Sequence, residues 1–238
     1  MQRKRSVSSM TRGEQLAGTI FFFIYLAALP FAAGHIFRFV ELLLGINLTS
    51  SLENALYYYV LLAVTIIIFH GFLAQTSSLL LDNLNGAAQT LALGLIGLYG
   101  LNELVYRASS LLTGSGVNLN DAVISAQSLI PQPTLLIVIL AAPFVEEVLF
   151  RGLVFGGLRN NSRWIAYLIS CLLFAAMHVW QATGTIPSVE NLPLMSQSLI
   201  QYLVPGLVFA WAYERSGTLW TSVALHAAAN ALAVWMAG

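Results

Sequence analysis

Apolar residues fill the chain in long runs separated by short polar breaks. Seven of those runs come near or exceed the roughly 20 residues that carry a helix across a bilayer core. They cover residues 17–40, 55–74, 86–106, 134–157, 164–182, 195–213 and 218–236. None alternates apolar and polar positions over about ten residues, as the strands of a membrane barrel do. The pattern therefore predicts an all-α, polytopic transmembrane helical bundle of about seven spans, because each segment in lipid must satisfy its own backbone hydrogen bonds. Residues 107–133 break the rhythm; their Ser, Gly, Asn and Pro predict a long loop, with a short helix around Ala122 to Ile130. There is no repeat or low-complexity tract, so one integrated membrane domain is expected.

Composition identifies the solvent. Hydrophobic residues make up 58% of the 238 and charged residues only 8%, where a soluble domain carries about 25% charge. A nucleic-acid binder, a disordered chain and a soluble enzyme with a hydrated surface are thereby ruled out. Ten basic and ten acidic residues cancel, so the information lies in their placement. Arg3, Lys4, Arg5 and Arg12 precede the first span, Arg159 and Arg163 lie between the fourth and fifth, and Arg215 lies between the sixth and seventh. Alternating crossings put all of these on one side, which the excess of bases marks as cytoplasmic. Arg38 and Arg107, at span ends, fall on the other side. Tyr57, Tyr58, Tyr59, Trp164, Trp180, Trp220 and Trp235 at span edges suit interfacial belts. A cleaved leader ending near Ala32 to Gly34 is disfavoured, because apolar residues continue through Ile36, Phe37, Phe39 and Val40. The expectation is a multi-pass integral protein of a plasma or inner membrane with a cytoplasmic amino terminus. Cys171 is the single cysteine and says nothing of redox compartment.

A few polar residues sit where lipid makes them costly. Pro143, Glu146, Glu147 and Arg151 interrupt the fourth span. Glu147 and Arg151 are four apart in the acid-before-base order that favours an ion pair, and are expected to clamp helices. Glu146 points about 100° away at 3.6 residues per turn, which leaves its carboxylate for another partner. The fifth span presents Phe174 and His178 on one face, and the seventh presents His226 and Asn230 among small alanines that permit close helix approach. Counted from the cytoplasmic edges at 1.5 Å per residue, Glu146 lies about 16 Å deep, Asn230 about 18 Å, His226 about 12 Å and His178 about 21 Å. One layer near the bilayer centre can therefore hold all four. His35 and His70 lack such company and are expected to be structural or interfacial.

A carboxylate and an imidazole converging on one water make a general-base pair, here Glu146 with His178. Amide hydrolysis also needs donors for the developing oxyanion, and the ring N–H of His226 and the amide of Asn230 can supply them. There is no G-x-S-x-G elbow and no H-E-x-x-H metal helix. Glu146, His178 and His226 would also suit a catalytic zinc, as a two-histidine, one-carboxylate set with an open position. No cofactor is expected, and zinc on those three residues stands as the alternative.

Glu146-Glu147-x-x-x-Arg151, Phe174-x-x-x-His178 and His226-x-x-x-Asn230, in this order and each in a span, resemble the three motifs of the CPBP (ABI) family. That family contains type II CAAX prenyl endopeptidases together with bacteriocin-processing and bacteriocin-immunity proteins. The resemblance covers residues 134–236, leaving 1–133 as amino-terminal spans and outer loop and making 134–238 the catalytic core. It implies an intramembrane endopeptidase of the glutamate type, with Glu146 as base, His178 as its partner on water, and His226 and Asn230 as oxyanion donors. Glu147, Arg151 and Phe174 would support them. Implied partners are the bilayer and a peptide or membrane-anchored protein substrate, with removal of three residues after a prenylated cysteine as the CAAX version. A non-proteolytic immunity or scaffold protein is the competing expectation. A proton-relay transporter fits Glu146 but leaves His226 and Asn230 without a purpose.

Overall fold

The computed structural model describes residues 9–113, 136–183 and 192–237, and the short helix expected around Ala122 to Ile130 lies outside them. Every regular element among the described residues is helical, as the apolar runs predict. Helix α1 (Arg12–Phe23) opens on a capping box in which Thr11 and Glu14 exchange side-chain-to-backbone hydrogen bonds. It passes through a π turn, Ile24–Ala28, into α2 (Leu29–Leu44). The stretches Arg12–Ala27 and Phe31–Leu44 meet at 83°, so the expected first span is bent. Pro30, which lacks an N–H to donate, stands at the corner.

Helices α3 (Ser50–Ile68) and α4 (His70–Asp82) divide the expected second span. Phe69 between them leaves helical geometry at φ −106° and ψ 21°. Glu14 explains what holds the break: its buried carboxylate accepts the Phe72 N–H at 2.7 Å as well as the Thr11 N–H at 2.8 Å. A donor freed at the start of α4 is thus satisfied from α1. Helix α5 (Leu84–Thr113) contains the third span and carries helix into a stretch expected as loop from residue 107.

The fourth run is helical but irregular: a π turn Ile137–Ala141, α6 (Ala142–Glu147), a π helix Val148–Phe155 and α7 (Gly156–Arg159). Helices α8 (Arg163–Thr183), α9 (Leu192–Ser216) and α10 (Leu219–Ala237) complete the chain. By length and composition three helices can cross a membrane, Ser50–Ile68, Leu84–Ala108 and Arg163–Trp180, or four if the bent α1–α2 pair is one span. The apolar helix Leu219–Trp235 falls short of 18 residues. Interrupted helices are tolerated in lipid where protein covers the freed backbone groups, and the fourth run is buried throughout Ala141 to Leu153.

Helix α8 packs along α9, which also lies against α5 and α10, while the π helix packs on α8. Aromatic rings fill the centre. Phe150 meets Phe174 edge-on at 5.5 Å and Phe22 of α1 at 5.4 Å, and Phe155 meets Tyr167 at 4.9 Å. Gly152 is required where Met10, just ahead of α1, and Phe72 of α4 press on the π helix, since a Cβ there would meet Met10 at 2.8 Å and Phe72 at 2.9 Å.

The α9–α10 corner turns at Gly217, whose φ of 79° favours glycine. Its outgoing strand of hydrogen bonds is closed by α4. Thr76 Oγ1 accepts the Leu219 N–H at 2.7 Å, Thr218 Oγ1 donates to the Thr76 carbonyl at 2.8 Å, and Trp220 Nε1 donates to Ser77 Oγ at 2.8 Å. A residue 143 positions earlier therefore caps the helix that carries His226 and Asn230. Nearby, Glu214 accepts from Arg159 at 3.0 Å, Arg163 at 2.9 Å and Tyr167 at 2.8 Å. Arg159 and Arg163, two of the bases expected on one side, thus meet at one carboxylate.

Candidate active site

Glu146 and Glu147 end α6, where the helical phase turns their carboxylates into different surroundings. Both are buried, as are Arg151 and His226. Glu147 Oε1 takes the Nδ1 of His226 at 2.9 Å, and its Oε2 accepts the Ser222 hydroxyl. Arg151 Nε stands 3.2 Å from Oε2, an ion pair without hydrogen-bond alignment. The guanidinium also donates through Nη2 to the Gly206 carbonyl at 3.2 Å, and its carbon lies 4.2 Å from the centre of the Phe174 ring. The expected Glu147–Arg151 clamp is present, and it holds His226 as well.

Glu146 faces the other way. Its Oε2 is 3.5 Å from His178 Nε2 and has no hydrogen-bond donor within the described protein. His178 Nδ1 lies 2.9 Å from the Phe174 carbonyl one turn earlier. A carbonyl only accepts, so Nδ1 carries the proton, and in the neutral ring the lone pair of Nε2 turns toward Glu146. Phe174 at 4.2 Å and Tyr202 at 4.8 Å pack against the ring. Tyr58 of α3 and Tyr202 of α9 are within electrostatic reach of Glu146.

His226 is similarly constrained. Phe209 stacks on it at 4.5 Å with 21° between planes, and Phe174 meets it edge-on at 5.9 Å. With Nδ1 committed to Glu147, Nε2 is the nitrogen left for other partners, and it donates only when the ring holds both protons. Asn230 follows one turn later on α10, half-buried. Phe174, with 1% of its surface exposed, touches Arg151, His178 and His226 and keeps the two glutamate pairs apart.

Among the described residues no three His, Cys, Asp or Glu side chains converge as a cation site. Glu146 with His178 and Glu147 with His226 form two pairs. His35 and His70 are exposed. Four participants were not singled out from sequence: Ser222, Phe209, Tyr202 and Gly206. Only Ser222 had a local signal, since it lies four residues before His226 and so on its face. The others reach the site from α9 through tertiary packing.

Residues 129–232 match the family model described as type II CAAX prenyl endopeptidase Rce1-like. That match takes in both glutamates, both site histidines and Asn230, the residues whose motifs resemble the CPBP (ABI) family. The chain is also 32% identical over 117 residues to the UPF0177 protein in the abiGi 5′ region of Lactococcus lactis subsp. cremoris, covering 49% of this chain and 44% of that protein. It is 32% identical over 88 residues to the UPF0177 protein YxdF of Lactococcus lactis subsp. lactis, covering 37% and 41%. An uncharacterized 24.3 kDa protein of Escherichia coli is 34% identical over 102 residues, covering 42% of each. The chain therefore spans less than half the length of these curated relatives. No solved structure matches it.

Proposed function

We propose that the protein is an intramembrane endopeptidase of the glutamate type, in which Glu146 and His178 activate a water for peptide hydrolysis. The observation that carries this reading is the 3.5 Å approach of Glu146 Oε2 to His178 Nε2, with His178 fixed by its Nδ1 hydrogen bond to Phe174. Two acceptors so placed take both hydrogens of one water, and the water's lone pairs then face a substrate carbonyl. As oxygen attacks the carbonyl carbon, Glu146 accepts the proton. His226 and Asn230 donate to the oxyanion, His226 through Nε2 in its doubly protonated form with Glu147 as counter-charge. Glu146 then delivers its proton to the leaving amine, which breaks the C–N bond and restores the carboxylate. The matched family makes processing near the carboxy terminus of a CAAX protein the substrate proposal, an argument by family alone.

The test is cleavage of membrane peptides by purified protein. Glu146→Ala and His178→Ala are each expected to abolish it while leaving insertion and helix content unchanged, and cleavage is expected to persist after chelation. Undiminished cleavage in either variant overturns the assignment. Stoichiometric zinc with loss of activity on chelation replaces the water-only mechanism by the zinc one. A biological effect that survives Glu146→Ala marks a scaffold or immunity protein.

A further inference from the structure

A cavity lies outside the candidate active site. It is a groove of about 960 Å³ between α5, α8 and α9, walled by leucines. Arg163, Trp164 and Trp211 stand at one end and Cys171, Leu172 and Leu203 at the other. From Arg163 to Leu172 the groove runs about 13 Å at 1.5 Å per residue, close to one leaflet, which is half of the roughly 30 Å hydrocarbon core. Gly97 forms part of the wall, and a Cβ placed there meets nothing within 4 Å.

Charge selects the occupant. Arg159 and Arg163 share the carboxylate of Glu214 at this end, two bases on one acid among the described residues, and Arg215 lies over Trp211. Arg163 gives its Nε to Glu214 Oε2 at 2.9 Å, yet its side chain is 59% exposed. Tyr167 lies within hydrogen-bonding reach of the same guanidinium, and the remaining donors of its exposed fork match phosphate. Trp164 and Trp211 bracket this end, with Arg163 5.8 Å from the Trp164 ring and Arg215 5.5 Å from that of Trp211. Such aromatic rings belong at the headgroup level.

We propose that this groove holds one anionic phospholipid of the bilayer, with an acyl chain along Gly97 and Leu207 and its phosphate on Arg163. Basic sites between spans on the cytoplasmic side are recognised by anionic headgroups, and the groove adds a slot one leaflet deep. This inference does not depend on the protease reading.

Purified full-length protein in nanodiscs of phosphatidylcholine with a minority of phosphatidylglycerol, released for native mass spectrometry, provides the test. One phosphatidylglycerol is expected to stay bound per chain. Arg163→Gln is expected to lower its retention about fivefold, the effect of one base at an anionic surface. Gly97→Leu fills the slot without a clash at Cβ and is expected to abolish retention at an undiminished melting temperature. Equal retention of the two lipids overturns the proposal, as does wild-type retention in Gly97→Leu. A dimer that Gly97→Leu dissociates also overturns it, because a second copy then covers the groove.

Discussion

Glu146 and Glu147 are adjacent in sequence and do different work, because a helix sends neighbouring side chains about 100° apart. Glu147 is enclosed by His226, Ser222 and Arg151, whereas Glu146 has His178 at ion-pair distance only. Their substitutions should therefore differ in kind. Glu146→Gln is expected to fold and to lose about 10²–10⁴-fold in cleavage rate, the usual worth of a general base, measured with a quenched peptide. Glu147→Gln leaves Arg151 buried without a counter-charge, which costs about 3–5 kcal/mol, and should show first as a lowered melting temperature. Asn230→Ala is expected to cost about 10²–10³-fold in kcat, as loss of one oxyanion donor does. At this scale much was legible in the sequence: the spacings showed the Glu147–Arg151 pair, the odd carboxylate Glu146 and the histidine faces. The Glu147–His226 contact was not, since its partners are 79 residues apart and no local rule joins them.

Helices carry these side chains, and their departures from regularity matter most. The π helix Val148–Phe155 follows directly on the glutamates, and π segments recur at functional sites. Its apolar sequence gives no sign of a changed hydrogen-bond register, because hydrophobic periodicity reports which face is buried and every residue of this segment but Val154 is buried. The break at Phe69 was equally hidden: Ile, Phe and His around it continue an apolar run, and the group that stabilises it, Glu14, lies far away in sequence. Two substitutions test these joints by thermal melting in detergent. Thr76→Val removes the hydroxyl that caps α10 and should cost about 0.6–1.7 kcal/mol, the range for polar contacts between membrane helices. Gly152→Val drives a branched side chain into Met10 and Phe72, which already crowd a Cβ at 2.8 and 2.9 Å, and should cost about 1–3 kcal/mol by overpacking.

For the whole molecule, charge scarcity and the apolar runs were enough to identify an all-helical membrane protein. They overstated the continuity of the runs, because hydropathy averages across a corner such as Pro30 or Phe69 without registering it. Topology is testable by introducing cysteines into a Cys171→Ala background and labelling with an impermeant maleimide. Ser9 and Asn161 are expected to label from the same side and Asn47 from the opposite one. If all three share a side, α1 and α2 form a re-entrant hairpin instead of a span.

The threonine joint between α4 and α10 also orders events in time. His226 and Asn230 lie on the last described helix to be synthesised, and the hydroxyl that starts that helix waits in one made 143 residues earlier. A nascent chain lacking α10 holds Glu146 and His178 but neither oxyanion donor. Under the proposed mechanism, such a chain passes through the insertion machinery unable to cleave the nascent proteins around it.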